Sequence, residues 1–281
     1  MNYRFASFIA LAFTLIIMSA PTYAKAFGDD LTTPAPPPSL AELQSLPAGS
    51  GGDEGEDGMP FDIRLEALKE AAVSYGARGG LAYRTYEIRA ELEKRATYMD
   101  KIFNFGQLLI PAPSGFMIEP PIISENINAM LIDNGGQEAA VSDKIYNIIS
   151  NAKISSAARN WRIYLEREWG DVDPPPEILR PRDDGEQAVW SDLLTKGWEQ
   201  GVLQANEIFE EDLNRLTADF RGMVRYRTLL AQGMVSPPYA LHVDRGVTGD
   251  GNEMRVGDRA VQITGVPELI TGTDQWRPAN R

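Results

Sequence analysis

From Glu186 to Gln232 the apolar residues recur every three or four positions: Trp190, Leu194, Trp198, Val202, Ala205, Phe209, Leu213, Leu216, Phe220 and Met223. That period belongs to an α-helix carrying one apolar stripe. At 1.5 Å per residue the run is roughly 65–70 Å long. This exceeds the width of a small domain, so the stripe must bend or serve more than one neighbour. Trp190, Trp198, Phe209 and Phe220 are its largest members and the candidates for a helix core or an interface. Gly197-x-x-x-Gly201 lies within the run and permits a second helix to come close, although in a soluble chain that spacing is weak evidence by itself.

The N-terminus carries a different signal. A weakly basic start, Met1 to Arg4, precedes an apolar run from Phe5 to Met18, and small residues follow around Ala24. This pattern is expected of a cleavable secretory signal over residues 1–24. The apolar run is short for a spanning helix, which needs about 20 residues. No later segment reaches spanning length without charges, so the mature chain is expected to be soluble or peripheral. The chain has net charge −13 and no cysteine. Cleavage would remove Arg4 and leave it more acidic still. Such a chain repels phosphate backbones, which argues against direct nucleic-acid binding. An exported chain without cysteine holds no disulfide and cannot carry a thioether-linked lipid.

Residues 25–60 hold Pro34 to Pro38 and the acidic, glycine-rich stretch Gly49 to Gly58. Too little apolar surface is present to offset ordering, so a linker is expected. Within it, Leu40 to Leu46 reads either as plain tether, the commoner case, or as a helical turn formed against a partner. The folded body is expected over residues 61–276, with a tail at 277–281. Phe61, Leu65, Leu68, Ala72 and Tyr75 predict a helix, with Asp62 as its cap, and a second helix follows through Tyr83, Tyr86 and Ala90 to Phe103. Between them, Gly76-Ala77-Arg78-Gly79-Gly80 fits a hinge, a close backbone approach, or a helix end and restart, the commonest of the three.

Prolines at 111, 113, 120 and 121 exclude a long helix from the next zone, and Asp133 to Gly136 signals a turn. The zone, including Asn160 to Leu165, reads as a small antiparallel sheet with irregular loops, although Val141, Ile145 and Ile149 also fit a helix. After Pro237-Pro238, Tyr239 to Val247 is extended in character, Thr248 to Asn252 reads as a turn, and runs at 253–256 and 259–264 flank Gly257-Asp258 as a β-hairpin would. The fold class expected is α+β: an N-terminal helical pair, a small antiparallel sheet with hairpins, and one very long amphipathic helix. A hairpin edge can accept a neighbouring strand. Tyr239, Val247, Thr248, Val261 and Ile263 are therefore the candidate assembly surface.

Catalytic patterns are sparse. His242 has no second histidine to share a metal and reads as a surface or edge residue. No nucleophile elbow, phosphate loop or dinucleotide fingerprint occurs, and Asp250 to Glu253 lacks the spacing of a calcium loop. Paired acids such as Glu210-Glu211 fit the solvated face of the helix. The expectation is a non-enzyme without metal or cofactor.

Several strings in one order resemble a known family: Gly80-Leu81-Ala82-Tyr83-Arg84, Ile102 to Phe105, Asn160 to Leu165, Gly197-Trp198-Glu199-Gln200-Gly201, Gln204-Ala205-Asn206, Phe220 to Val224, Tyr226 to Gln232, Met234 to Pro238 and Gly246 to Gly249. They resemble the DotC proteins of Dot/Icm type IVB secretion systems and their conjugative relatives called TraI, from about Arg64 to Trp276. The resemblance implies a structural component of an outer-membrane core complex, in the periplasm, assembled with DotD-like and DotH-like subunits. Familiar members are lipoproteins, and the lack of cysteine here implies indirect attachment to the outer membrane. The alternatives are a stand-alone periplasmic binding or chaperone-like module and, further off, a cell-wall hydrolase.

Overall fold

A computed structural model describes residues 35–49, 61–112, 115–133 and 138–277. The expected signal peptide, much of the expected linker and most of the expected tail lie outside the described residues. The chain is α+β, as the patterns predict, and Pro36–Arg281 forms one compact unit.

Two helices make the scaffold. The first of them, α2, spans Phe61–Lys94 and the longer, α5, spans Asp184–Ala231. Asp183 caps α5, its carboxylate accepting from Glu186 N at 2.8 Å, which satisfies an otherwise orphaned donor. Arg64 pairs with Glu186, and Arg84 donates to Asn206 at 2.8 Å; both pairs are 122 residues apart in sequence. A constant separation means that the helices run parallel and in step.

The glycines explain how close they lie. A Cβ on Gly76 would land on the Leu194 carbonyl oxygen, and one on Gly80 on that of Trp198. From the other side, a Cβ on Gly197 would strike Val73 O and one on Gly201 would strike Ala77 O. Each helix thus sets two glycines against the other's backbone. The helix does not end and restart at Gly76 to Gly80, as the commonest arrangement would have it. It runs on through them and stops only at Lys94, followed by a short α3 at Ala96–Ile102.

Residues expected to belong to the linker also join the scaffold. Leu40–Gln44 forms a short helix, α1, closed by a reciprocal capping box between Ser39 and Glu42. Leu43 is buried against Gly79, and the Gln44 side chain donates to Thr195 Oγ1 at 3.2 Å. The tether reading therefore fails for this segment, whose apolar side finds a partner on its own chain.

The N-terminal part of α5 packs on α2 around Leu68, Ala72, Tyr75, Trp190 and Leu194. Further along, Leu216 and Met223 join Leu92, Phe105, Trp161 and Tyr164 in a second core. At its C-terminal end Tyr226 and Leu229 pack with Ile123 and Val235. The long stripe is thus used by a succession of neighbours. Burying each large apolar side chain stabilises by about 1.5–3 kcal/mol.

The crossover between α2 and α5 carries the sheets. A three-stranded antiparallel sheet joins β1 (Ile110–Pro111), β2 (Met117–Glu119) and β5 (Lys153–Ser155). A two-stranded ribbon pairs β3 (Ile122–Asp133) with β4 (Glu138–Ser150). Val141, Ile145 and Ile149 are therefore on a strand. Asn160 to Leu165, expected in a sheet, instead contains a short helix, α4, at Arg162–Leu165. Trp161 anchors that segment: it is fully buried and its Nε1 donates to Asp100 Oδ1 at 2.7 Å.

A second ribbon follows α5. It pairs β6 (Tyr239–Gly249) with β7 (Met254–Gly265) in antiparallel fashion. Its turn is not at Gly257-Asp258. The Asp250 carboxylate accepts from Asn252 N and Glu253 N, both at 3.1 Å, and closes the turn expected at Thr248 to Asn252. Gly257 sits inside β7 with φ +72°, near a register shift opposite Gly246, where a bulge needs the left-handed conformation that glycine adopts freely.

Candidate assembly surfaces

The β6–β7 ribbon holds all five sequence candidates for an assembly surface. Tyr239 and Val247 are exposed on β6. Thr248 is half-buried and its hydroxyl donates to Asp258 Oδ2 at 2.8 Å across the ribbon. Val261 and Ile263 are half-buried on β7, opposite His242 and Ala240. Leu241 and Val243 add further exposed apolar surface, and Met254 and Val256 are each 74% exposed. A two-stranded ribbon is marginally stable by itself in water, and an uncovered apolar edge invites another chain.

The root of the ribbon, by contrast, is held firmly. α5 ends with Gly233 at φ +71°, where Gly233 N donates to Leu230 O and Met234 N to Leu229 O. This left-handed cap reverses the chain. A Cβ at Gly233 would also lie 2.8 Å from the Gln275 carbonyl oxygen. Val235 is buried and bridges to Leu269, while Ser236 N donates to Glu268 O at 2.9 Å. The Trp276 indole donates to Ile270 O at 2.9 Å, so the C-terminal segment clasps the same corner.

The four helix candidates divide. Trp190 is fully buried, with its ring 6.4 Å from that of Tyr75. Trp198 is half-buried, 5.5 Å from Tyr83. Phe209 is half-buried against the second core. Phe220 meets Phe103 and Phe105 edge-on at 5.5 and 5.1 Å. Three of the four belong wholly to the scaffold, and Phe220 also lines a surface groove.

That groove, of about 670 Å³, lies between the C-terminal part of α5, the end of α3 and the base of the β3–β4 ribbon. Glu125 is its hub. It accepts from Tyr146 Oη at 3.0 Å and Arg225 Nε at 3.2 Å, and pairs with Lys144 at 3.0 Å. The hydrogen bond from Lys144, and then that from Tyr146, hold the Glu125 carboxyl below the usual range. Arg225 also donates to Ile123 O at 2.6 Å and so ties β3 to α5. Nothing in the spacing of the sequence brings these residues together. The one trace is that Phe220 to Val243 contains Arg221, Arg225 and Arg227 and no acid, in a chain of net charge −13.

A second polar cluster is structural. Arg159 pairs with Glu119 and donates to Tyr164 Oη at 2.7 Å and Asp219 at 3.1 Å, while Tyr164 donates to Asp219 at 2.7 Å. Burial first, and then the bond to Asp219, push the Tyr164 phenol up to about 12. Among the described residues no group of three His, Asp or Glu side chains is placed to hold a metal. No helix among them is long and apolar enough to cross a membrane. His242 is exposed on β6.

A helical scaffold that carries a strand ribbon with exposed apolar side chains has the form of a part made to be joined to others. Over residues 62–278 the chain matches the family described as type IV secretory system, conjugal DNA-protein transfer, and it belongs to that family. The match begins at the start of α2 and runs past the clasp at Trp276. The protein is a component of a type IV secretion or conjugation system. No curated protein matches the chain.

Proposed function

We propose that the protein is a non-enzymatic structural subunit of the outer-membrane core complex of a type IVB secretion or conjugation apparatus. It reaches the periplasm by the signal on residues 1–24 and assembles there with DotD-like and DotH-like subunits. The observation that carries this reading is the β6–β7 ribbon, clamped at its root and exposing Leu241, Val243, Val247, Met254 and Val256, in a chain of this family. A ribbon of that kind is completed by β-strand addition, in which a neighbour's backbone pairs with the free edge. Attachment to the outer membrane is then indirect, since the chain has no cysteine to acylate.

Affinity purification from the membrane fraction, with mass spectrometry of the co-purifying chains, tests the reading. Wild-type protein brings down the other core subunits. Leu241→Lys with Val243→Lys leaves folding and export intact but releases the protein from the complex and abolishes transfer. A monomer that transfers substrate normally without these partners overturns the proposal. Release of muropeptides by the purified protein would establish the cell-wall hydrolase instead.

A further inference from the structure

The groove beside α5 has a charge opposite to that of the chain. Lys144, Arg221 and Arg225 line it, and among the described residues only one carboxylate, Glu125, faces them. Glu125 is already engaged by Lys144, Arg225 and Tyr146. Arg221 is exposed and has no partner among the described residues. Phe103, Phe220 and Val224 form an apolar wall along the same depression. Its volume of about 670 Å³ lies within the roughly 300–1,000 Å³ usual for ligand pockets.

We propose that this groove docks an acidic peptide segment of another protein, with a carboxylate on Arg221 and Lys144 and an apolar side chain against Phe220 and Val224. The proposal does not depend on the β6–β7 ribbon. A carboxylate-bearing segment is what the lining selects: a planar guanidinium and an ammonium give charge-assisted bonds, and the aromatic wall receives an apolar anchor. A membrane of anionic lipid offers the same charge but suits the site less well. The depression is concave, and a chain of net charge −13 is repelled by an anionic surface everywhere else. Arg225 contributes to the field while holding the Ile123 carbonyl, so the pocket is fixed before any peptide arrives.

Fluorescence anisotropy on the purified full-length chain tests this, with a labelled peptide of alternating Glu and Leu as the probe. Saturable binding that weakens with added salt is expected. Arg221→Glu and Lys144→Glu should each weaken it roughly tenfold, with thermal midpoints close to wild type because both side chains are on the surface. Val224→Ala should weaken it several-fold, and Arg255→Glu, on the distant β7, should leave it unchanged. Equal binding of a Lys and Leu peptide overturns the proposal, as does unaltered binding by the Arg221 variant. Capture by phosphatidylglycerol vesicles, lost in the same variants and without peptide binding, overturns it in favour of a lipid headgroup.

Discussion

The seam between α2 and α5 conceals nearly everything it owns, and the β6–β7 ribbon conceals almost nothing. In the seam, glycines let two backbones touch, Trp190 is fully buried, and the Arg64–Glu186 pair sits inside with both side chains under a tenth exposed. In the ribbon, Leu241, Val243, Met254 and Val256 face outward although they are apolar. Both regions are rich in hydrophobic residues, so composition does not separate them. What separates them is whether the partner surface is present in the same chain. The seam is completed by residues 122 positions away. The ribbon's complement lies in another molecule, on the reading given above.

Substitutions should therefore act on stability in one region and on association in the other. The largest effect is expected from Trp190→Ala, which should lower unfolding free energy by about 3–5 kcal/mol in denaturant titration. A loss under about 1 kcal/mol would mean that the seam is not the stability centre. Alkaline titration comes next. Burial pushes the phenols of Tyr164 and Tyr226 up to about 12. Above pH 10 the unfolded tyrosines lose protons that the folded ones retain, so the native state binds more protons and stability falls as pH rises toward 12. Each tyrosine contributes about 2–3 kcal/mol to that fall. Tyr226→Phe should remove one of the two contributions. It should not destabilise at neutral pH, because the Tyr226 hydroxyl is buried without a hydrogen-bond partner among the described residues.

Gly201→Ala should cost about 1–3 kcal/mol through overpacking, because the new methyl meets the Ala77 carbonyl oxygen. A gain in stability, as helix propensity alone would give, would show that the two backbones are further apart. The smallest effect on stability is expected on the ribbon. Val256→Lys should change the thermal midpoint of the isolated chain by no more than about 0.5 kcal/mol in equivalent free energy, while co-purification with the other core subunits is lost. A large loss of stability would make the ribbon part of the scaffold and erase the contrast.

The long helix was legible because its period persists through many turns: the pattern predicts Glu186 to Gln232, and the helix is Asp184–Ala231. The glycines at 76, 79 and 80 were ambiguous, since a glycine cluster looks the same whether it ends a helix or admits another one. The matching glycines at 197 and 201 were visible too, but their pairing needs a tertiary register that no local window contains. A turn at Thr248 to Asn252 was expected and is present, but the hairpin was expected within 253–264, whereas the ribbon pairs Tyr239–Gly249 with Met254–Gly265. Gly257-Asp258 resembles a second tight turn but is a bulge inside β7, and the hydrogen bonds of Asp250 close the one turn of the ribbon. The groove could not be seen, because Glu125, Lys144, Arg221 and Arg225 meet only once β3 and β4 lie beside α5.

Parallel alignment of α2 and α5 also fixes the order in which the chain can mature. An antiparallel pair can zip from a short loop, but here the glycine face of α2 has no complement until the residues from Leu194 to Gly201 have been made. Contacts so distant in sequence make folding slow. A polypeptide threaded N-terminus first through a membrane would thus remain slack, with its first long segment uncommitted, for most of its passage. The register that gives the finished scaffold its rigidity is the same one that keeps the chain in transit pliable.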